Sequence, residues 1–288
     1  MRLRERIYEH VVPQLSKSVA EHLRDHGTAL DSEGLSLAYR LTLRILFRLL
    51  FQAYAEDRGL LPAGRNEGYD ANSLKTIAKR IIDTPAEHFG NSKTLWFDLI
   101  QVWDAIDEGN ETWNVPAYNG GLFGTDPEIH PEGALIEKLG IHDDVLGPVL
   151  QHLLIDISED NVPGPVDFRS LSVREFGTIY EGLLESSLSV ASQDLTVDSK
   201  GVWVPTASGS QPLVFSGEVY FHSSSGERKA TGAYFTPSVI VEHLIEHSLN
   251  PALDAHLNRI RVYLEKNDEA AAARAFFDFR VAHQRWAL

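Results

Sequence analysis

Residues able to do chemistry gather late in the chain. Arg228-Lys229-Ala230-Thr231-Gly232-Ala233-Tyr234-Phe235-Thr236-Pro237 sets two cations and two aromatic rings ahead of a helix start. Thr236 suits an N-cap, and Pro237 suits the first helical position, where its missing N–H would be unpaired anyway. Such a helix end offers free backbone N–H groups and partial positive charge, which fit a carboxylate or a phosphate. Physics alone favours a well-capped helix here over a ligand site.

Two other patterns spell known metal chemistry. His243-Leu244-Ile245-Glu246-His247 places two imidazoles one turn apart with a carboxylate between, the inverted zinc-protease spacing, in which Glu246 would be the base. A zinc site needs a third protein ligand, and only Glu265 and Glu269 lie downstream at a useful distance. The pattern is short, and solvent-facing histidines on a charged helix are the ordinary reading. Glu227-Arg228-Lys229 spells the Glu-x-Lys of metal-dependent nucleases, with Asp194 or Asp198 as the acidic partner. That tripeptide is common, and Arg228 and Lys229 serve better to steady a cofactor loop or a DNA phosphate. No nucleophile-elbow turn supports a Ser-His-Asp arrangement.

The elements that must position these residues are mostly helices. Leu3, Ile7, Val11, Leu15, Val19 and Leu23 beat a four-residue rhythm, predicting an amphipathic helix over 2–26 that is bent or interrupted at Pro13. A stronger helix is predicted over 35–58, stopped by Gly59 and Pro62. Arg40, Arg44 and Arg48 recur on it every four residues, either as a solvated or salt-bridged face or as a phosphate track. Further helices are predicted over 73–82, 93–106, 134–139 and 145–154. Tyr118 to Phe123 forms an aromatic-flanked tight turn, and 158–166 a loop. Ser172 with Glu175 is a capping box opening another helix. Short strands follow at 195–197, 202–204 and 218–221, and the last helices cover 237–249 and 253–277. The predicted fold class is mainly α: a helical domain over 1–185, a β-hairpin or loop segment over 186–227, and a final helical segment over 228–288.

The bulk chemistry sets limits. At 288 residues, 43% hydrophobic and 23% charged, the chain can bury a sizeable core. The absence of cysteine excludes disulfides, thiolate metal sites and cysteine nucleophiles, and fits a reducing compartment, with the cytoplasm as default. No apolar run reaches the length of a membrane span. A net charge of -15 argues against this segment being a principal DNA clamp, which would release phosphate counterions from a basic face.

Thr231-Gly232-Ala233-Tyr234-Phe235-Thr236-Pro237 resembles the Thr-Gly-x-Tyr-Tyr-Thr-Pro segment of large adenine-N6 DNA methyltransferases, the type IIG restriction–modification enzymes and their phage-defence relatives of BREX and DISARM systems. Three more segments are similar to that family, in family order: 49–62 to its helical connector, Tyr118 to Phe123 to a frequent turn, and 168–185 to the helix before the cofactor segment. The resemblance implies S-adenosylmethionine as cofactor. Thr231, Gly232, Tyr234, Phe235, Thr236 and Pro237 would line its methionine end, with Phe235 replacing the usual second tyrosine. It implies a Rossmann-like core beyond the final helices, DNA reached through domains outside these residues, and partner subunits of a defence system. Family members of the restriction type often carry a nuclease domain ahead of the connector, and nothing here corresponds to it.

The resemblance also exposes two missing motifs. These residues contain neither the glycine-rich strand-to-helix turn that cradles the cofactor nor the Asn/Asp-Pro-Pro-aromatic loop that holds a flipped adenine. Asn250-Pro251-Ala252-Leu253 is no such loop. Phe276 to Ala282 looks like the approach to the first core strand, and His283 to Leu288 departs from the family's acidic, glycine-rich continuation. The expectation is a truncation or a frame disruption before the catalytic core, with no catalytic residue and no metal ligand in this chain. Sequencing beyond the codon for Leu288 should reveal a displaced glycine-rich segment; unrelated sequence in every frame would contradict it.

Overall fold

The computed structural model describes residues 3–84, 89–118, 120–158, 162–171, 173–199, 201–207, 209–223, 236, 238–266, 270–271 and 273–274. The chain forms two compact units, 1–231 and 232–288. The first is helical, with three small sheets. The predicted mainly-α class holds, while a Rossmann-like core is not among the described elements.

The chain opens with α1 (Leu3–Arg6), a π turn (Ile7–Val11) and α2 (Val12–Asp25). The expected bend or interruption at Pro13 takes the form of this π turn just ahead of it. Val12 N–H reaches back to the carbonyl of Ile7, five residues away, and this wider turn directly precedes the proline that cannot donate. Arg6, almost fully buried, donates to Ile155 O at 2.8 Å and to Asp156 at 2.6 Å, tying the first helix to residues 149 and 150 positions on.

The scaffold is built on α3 (Ser32–Asp57), whose 26 residues span about 39 Å at the usual helical rise. It begins three residues earlier than the apolar pattern suggested, because Asp31 caps it, accepting from Glu33 N–H and Gly34 N–H. Leu41, Ile45, Leu46, Leu49 and Leu50 are wholly buried, each contributing about 1.5–3 kcal/mol by leaving water. Around it lie α4 (Glu67–Asp70), α5 (Leu74–Asp83), α6 (Thr94–Glu108), α7 (Pro131–Leu139) and α8 (Asp143–Leu154). α3 itself packs against α2, α5 and α7. Trp96 and Trp103 of α6 stack edge-on at 5.8 Å inside the core.

Two carboxylates cap helices other than their own. Glu56, 2% exposed, accepts from Leu74 N–H and Lys75 N–H at 3.0 Å each, at the start of α5. It also accepts from Tyr69 OH at 2.9 Å and Gln52 Nε2 at 3.0 Å, and Gln52 accepts in turn from Trp103 Nε1 at 3.1 Å. Asp143 serves α6, accepting from Leu95 N–H and Thr94 N–H and from the Ser92 hydroxyl. Both place negative charge where helix N–H groups lack partners. Burial pushes the Glu56 carboxyl above its ordinary range and also holds the Tyr69 phenol protonated. The four donors to Glu56 pull its proton affinity back down.

Three antiparallel two-stranded sheets complete the unit. β1 (Ile155–Ile157) pairs with β2 (Pro163–Pro165), which forms within the loop expected over 158–166. The two prolines alternate with Gly164 on an edge, where the missing N–H groups are tolerated. A 3-10 turn (Phe168–Ser170) and α9 (Val173–Leu184) follow. Next come β3 (Ser186–Val190), β4 (Leu195–Val197), β5 (Trp203–Pro205) and β6 (Val219–Ser223). β4 pairs with β5 as the expected hairpin, whereas β6 pairs with β3, a serine-rich strand absent from the sequence reading. The second unit contains α10 (Ser238–Leu244), a π turn (Ile245–Leu249) and α11 (Asn250–Glu265). No break separates them, since Pro251 sits in the first turn of α11. No described helix is long and apolar enough to cross a membrane.

The Glu56 cap sets a stability expectation. Glu56→Ala strands four donors, three of them buried, and should cost about 3–5 kcal/mol, with Glu56→Gln losing less. Urea denaturation measures both; a loss below about 1 kcal/mol for Glu56→Ala would remove Glu56 from its structural role.

Candidate functional site

The C-terminal half of α3 gathers three of the four segments that resemble the methyltransferase family. Phe47, Phe51 and Tyr54 stand on neighbouring turns of the helix, and each meets a ring from elsewhere. Phe47 meets Tyr180 at 5.6 Å, Phe51 meets Phe123 at 5.2 Å and Tyr118 at 6.1 Å, and Tyr54 meets Phe176 at 5.8 Å. Between them lies an apolar groove of about 520 Å³, walled by these α3 rings with Leu50, Leu122, Leu171, Phe176 and Tyr180. Tyr180 remains 44% exposed at its edge.

Polar contacts hold each wall. The cationic stripe of α3 is consumed here. Arg44 donates to the carbonyls of Leu122 (3.1 Å) and Gly121, and Arg48 donates to Leu122 O at 2.9 Å and Phe123 O at 3.0 Å. Arg40 instead pairs with Glu132 at 2.7 Å, with Arg44 3.7 Å from the same carboxylate. Gly133 of α7 comes so near that a Cβ there would lie 1.9 Å from the Gly124 carbonyl oxygen, so the turn and α7 pack backbone to backbone. Tyr118 OH donates to Leu60 O at 2.8 Å. On the other side, Asp57 accepts from Phe168 N–H at 2.8 Å, Arg58 donates to Arg169 O at 3.2 Å, and Tyr39 OH donates to Leu183 O at 2.5 Å. The stripe is therefore a salt-bridged, carbonyl-binding face rather than a phosphate track.

Arg48 has no carboxylate within ion-pair distance among the described residues. Its guanidinium lies over the rings of Trp103 at 5.1 Å and Phe123 at 5.6 Å. Burial and the neighbouring Arg44 lower its pKa to about 10, so it remains a cation at neutral pH. Asp104 of α6 feels that positive charge, but its own burial and then the charges of Glu137 and Glu108 dominate and raise its pKa to about 6. Neither group lines the groove, whose lining carries only the Tyr54 and Tyr180 hydroxyls as polar side-chain atoms. The groove can hold an apolar surface, but these residues offer it no nucleophile and no base.

The remaining candidates lie later in the chain. Thr236, two residues before α10, is exposed. Arg228, Lys229, Thr231, Gly232, Tyr234, Phe235 and Pro237 lie outside the described residues, as does the proposed helix cap of Ser172. Within the described residues α10 runs from Ser238 to Leu244, and the expected first helical residue, Pro237, lies outside them. His243 and His247 are exposed, with ring centroids 4.3 Å apart, and Glu246 is exposed between them. Among the described residues no group of three His, Asp or Glu could hold a metal ion, and the inverted zinc pattern finds no third ligand there. Val239, Ile240, Leu244, Ile245 and Leu249 are likewise exposed, and no described residue of this helical run is buried.

The Glu56–Gln52–Trp103 chain was not singled out by sequence. A usable signal exists: Arg48, Gln52 and Glu56 recur every four residues through the most apolar stretch of the helix, and polar side chains buried there require internal partners. No protein-family model, curated protein or solved structure matches this chain.

The electrostatics around Arg48 give a pH test. The folded pKa of Asp104 is raised above its ordinary value, so its ionisation is disfavoured in the folded state. That penalty is absent below about pH 4, grows as pH rises through about 6, and is complete above it. Asp104→Asn should therefore be the more stable protein at about pH 8, by about 1 kcal/mol after solvent screening. The advantage should shrink towards about pH 4. Urea midpoints that show no pH-dependent gap would contradict this.

Proposed function

We propose that this chain is the helical scaffold and cofactor-flanking portion of a site-specific adenine-N6 DNA methyltransferase of the restriction–modification or phage-defence kind. The observation that carries the reading is the convergence on α3. Segments 49–62, 118–123 and 168–185, picked out separately for their family resemblance, wall one groove and are tied to one helix by Arg44, Arg48, Asp57 and Arg58. A set of unrelated chance matches gives no reason for that convergence.

In the intact enzyme S-adenosylmethionine would supply the methyl group transferred to an extruded adenine. The residues of this chain would contribute one wall of the cofactor site, through Thr231, Gly232, Tyr234, Phe235, Thr236 and Pro237. Arg228 and Lys229 would lie toward DNA phosphate. The methyl-transfer chemistry and the reading of DNA sequence belong to parts outside these residues. The exposed apolar side chains of α10 and the following π turn support the same reading, since a helix with no buried face calls for a partner surface.

A second reading rests on the groove itself. An apolar, aromatic channel without titratable acids or bases also suits a non-enzymatic scaffold that docks partner subunits of such a system.

Titration calorimetry with S-adenosylmethionine separates the two. The methyltransferase reading expects weak, saturable binding that Tyr234→Ala abolishes, and no methyl transfer to DNA by this chain alone. Absence of binding would leave the scaffold; methylation of DNA by the purified chain would overturn the assignment of the chemistry to other residues.

A further inference from the structure

A second cleft, lined by Glu56 and Asp57 among others, has no place in the reading above. It encloses about 440 Å³, within the range of small-molecule sites. Its floor is made by Ala53 of α3 and Ala78 of α5, both nearly fully buried, where small side chains leave the space open. Leu74, Ile82, Leu154 and Phe168 give it apolar walls. Its rim carries charge of both signs: Lys75, Lys79 and Arg169 against Asp57 and Asp167.

The rim's hydrogen bonds decide which charge is left for a ligand. Asp57 is engaged twice, by Lys75 Nζ at 3.0 Å and by Phe168 N–H at 2.8 Å. Asp167 accepts from Arg169 N–H at 3.0 Å, with the Arg169 guanidinium 3.6 Å away. Glu56, at the inner end, already accepts four hydrogen bonds. Lys79 has no ion-pair or hydrogen-bond partner among the described residues, and it stands one turn beyond Lys75 at the same mouth. Lys75 is paired with Asp57 and Arg169 lies beside Asp167, which leaves Lys79 as the rim's excess cation, so an anionic head would meet a free donor there.

We infer that this cleft is a binding site for a small amphiphilic carboxylate, a molecule with an apolar body of medium alkyl or aryl-alkyl size and one anionic head. The body lies on Ala53, Ala78, Leu74, Ile82, Leu154 and Phe168, and the head sits at Lys79 with Lys75 beside it. Apolar contact supplies most of the affinity, because several buried methylenes together outweigh one exposed ion pair. The lysine selects the head group. The site stands independently of the methyltransferase reading, since none of its lining belongs to the residues assigned to the cofactor.

Titration calorimetry of the whole chain with octanoate tests it, with octanol and acetate as probes of body and head alone. Octanoate should bind with one-to-one stoichiometry and raise the melting temperature, and acetate should not bind. Octanol should bind about fivefold more weakly than octanoate, the worth of one exposed ion pair. Lys79→Gln, a change at an exposed position, should bring octanoate down to the octanol level. Ala78→Met should fill the floor and abolish binding, with circular dichroism confirming that the variant is folded. The inference is overturned if octanoate gives no saturable heat, if Lys79→Gln binds octanoate as tightly as the unaltered chain does, or if folded Ala78→Met retains full binding.

Discussion

A buried carboxylate organises the first unit. Glu56 sits 2% exposed inside a protein whose net charge is already -15, and its negative charge is tolerable only because four donors converge on it. Those donors belong to three places: α3 itself, the α4 segment carrying Tyr69, and the first turn of α5. Through Gln52 the chain of bonds continues to Trp103 in the middle of α6. One side chain thereby fixes the angles at which three other elements meet α3. Its neighbour Asp57 then anchors the 3-10 turn ahead of α9. The aromatic groove and the alanine-floored cleft both depend on this pair of adjacent acids.

Arg48 is the counterpart at the other end of the same face. Two turns before Glu56, it holds the 121–123 turn by its carbonyls and shields its charge against two rings. Arg48, Gln52 and Glu56 form a polar ladder through the most apolar stretch of the helix, cationic at one end and anionic at the other. Buried groups of this kind contribute more to specifying one arrangement than to net stability, because leaving any of them unpaired is so unfavourable. The arginine stripe is thus spent inside the protein, Arg40 on Glu132 and Arg44 and Arg48 on the carbonyls of the 121–123 turn.

Much of the helical framework could be read directly. The four-residue apolar rhythm located α3, α5, α6 and α8 to within three residues, because each buries one broad face and periodicity reports burial. What failed was governed by groups that periodicity does not see. Residues 163–165 of the loop expected over 158–166 form a proline-bearing strand, and the serine-rich strand over 186–190 lacked the apolar signature of its partner. The arginine stripe and the Tyr118–Phe123 turn were each noticed, yet nothing in the sequence joined them, since they lie more than seventy residues apart and meet only through side-chain donors and backbone carbonyls. The carboxylates that cap α5 and α6 were invisible for the same reason: Glu56 and Asp143 act in trans, while capping rules look to the residues just before a helix. Of the residues proposed to line a cofactor site, only Thr236 is among the described residues.

If Glu56 is the organising contact, the first turn of α5 should open only when the whole unit unfolds. Amide hydrogen exchange resolved at Leu74 and Lys75 measures this most directly. The account expects both amides to exchange with the same opening free energy as the central amides of α3, and to share the same denaturant dependence. Exchange at Leu74 and Lys75 by a low-energy local opening, while the α3 amides stay protected, would show that α5 is fastened by something other than the buried carboxylate.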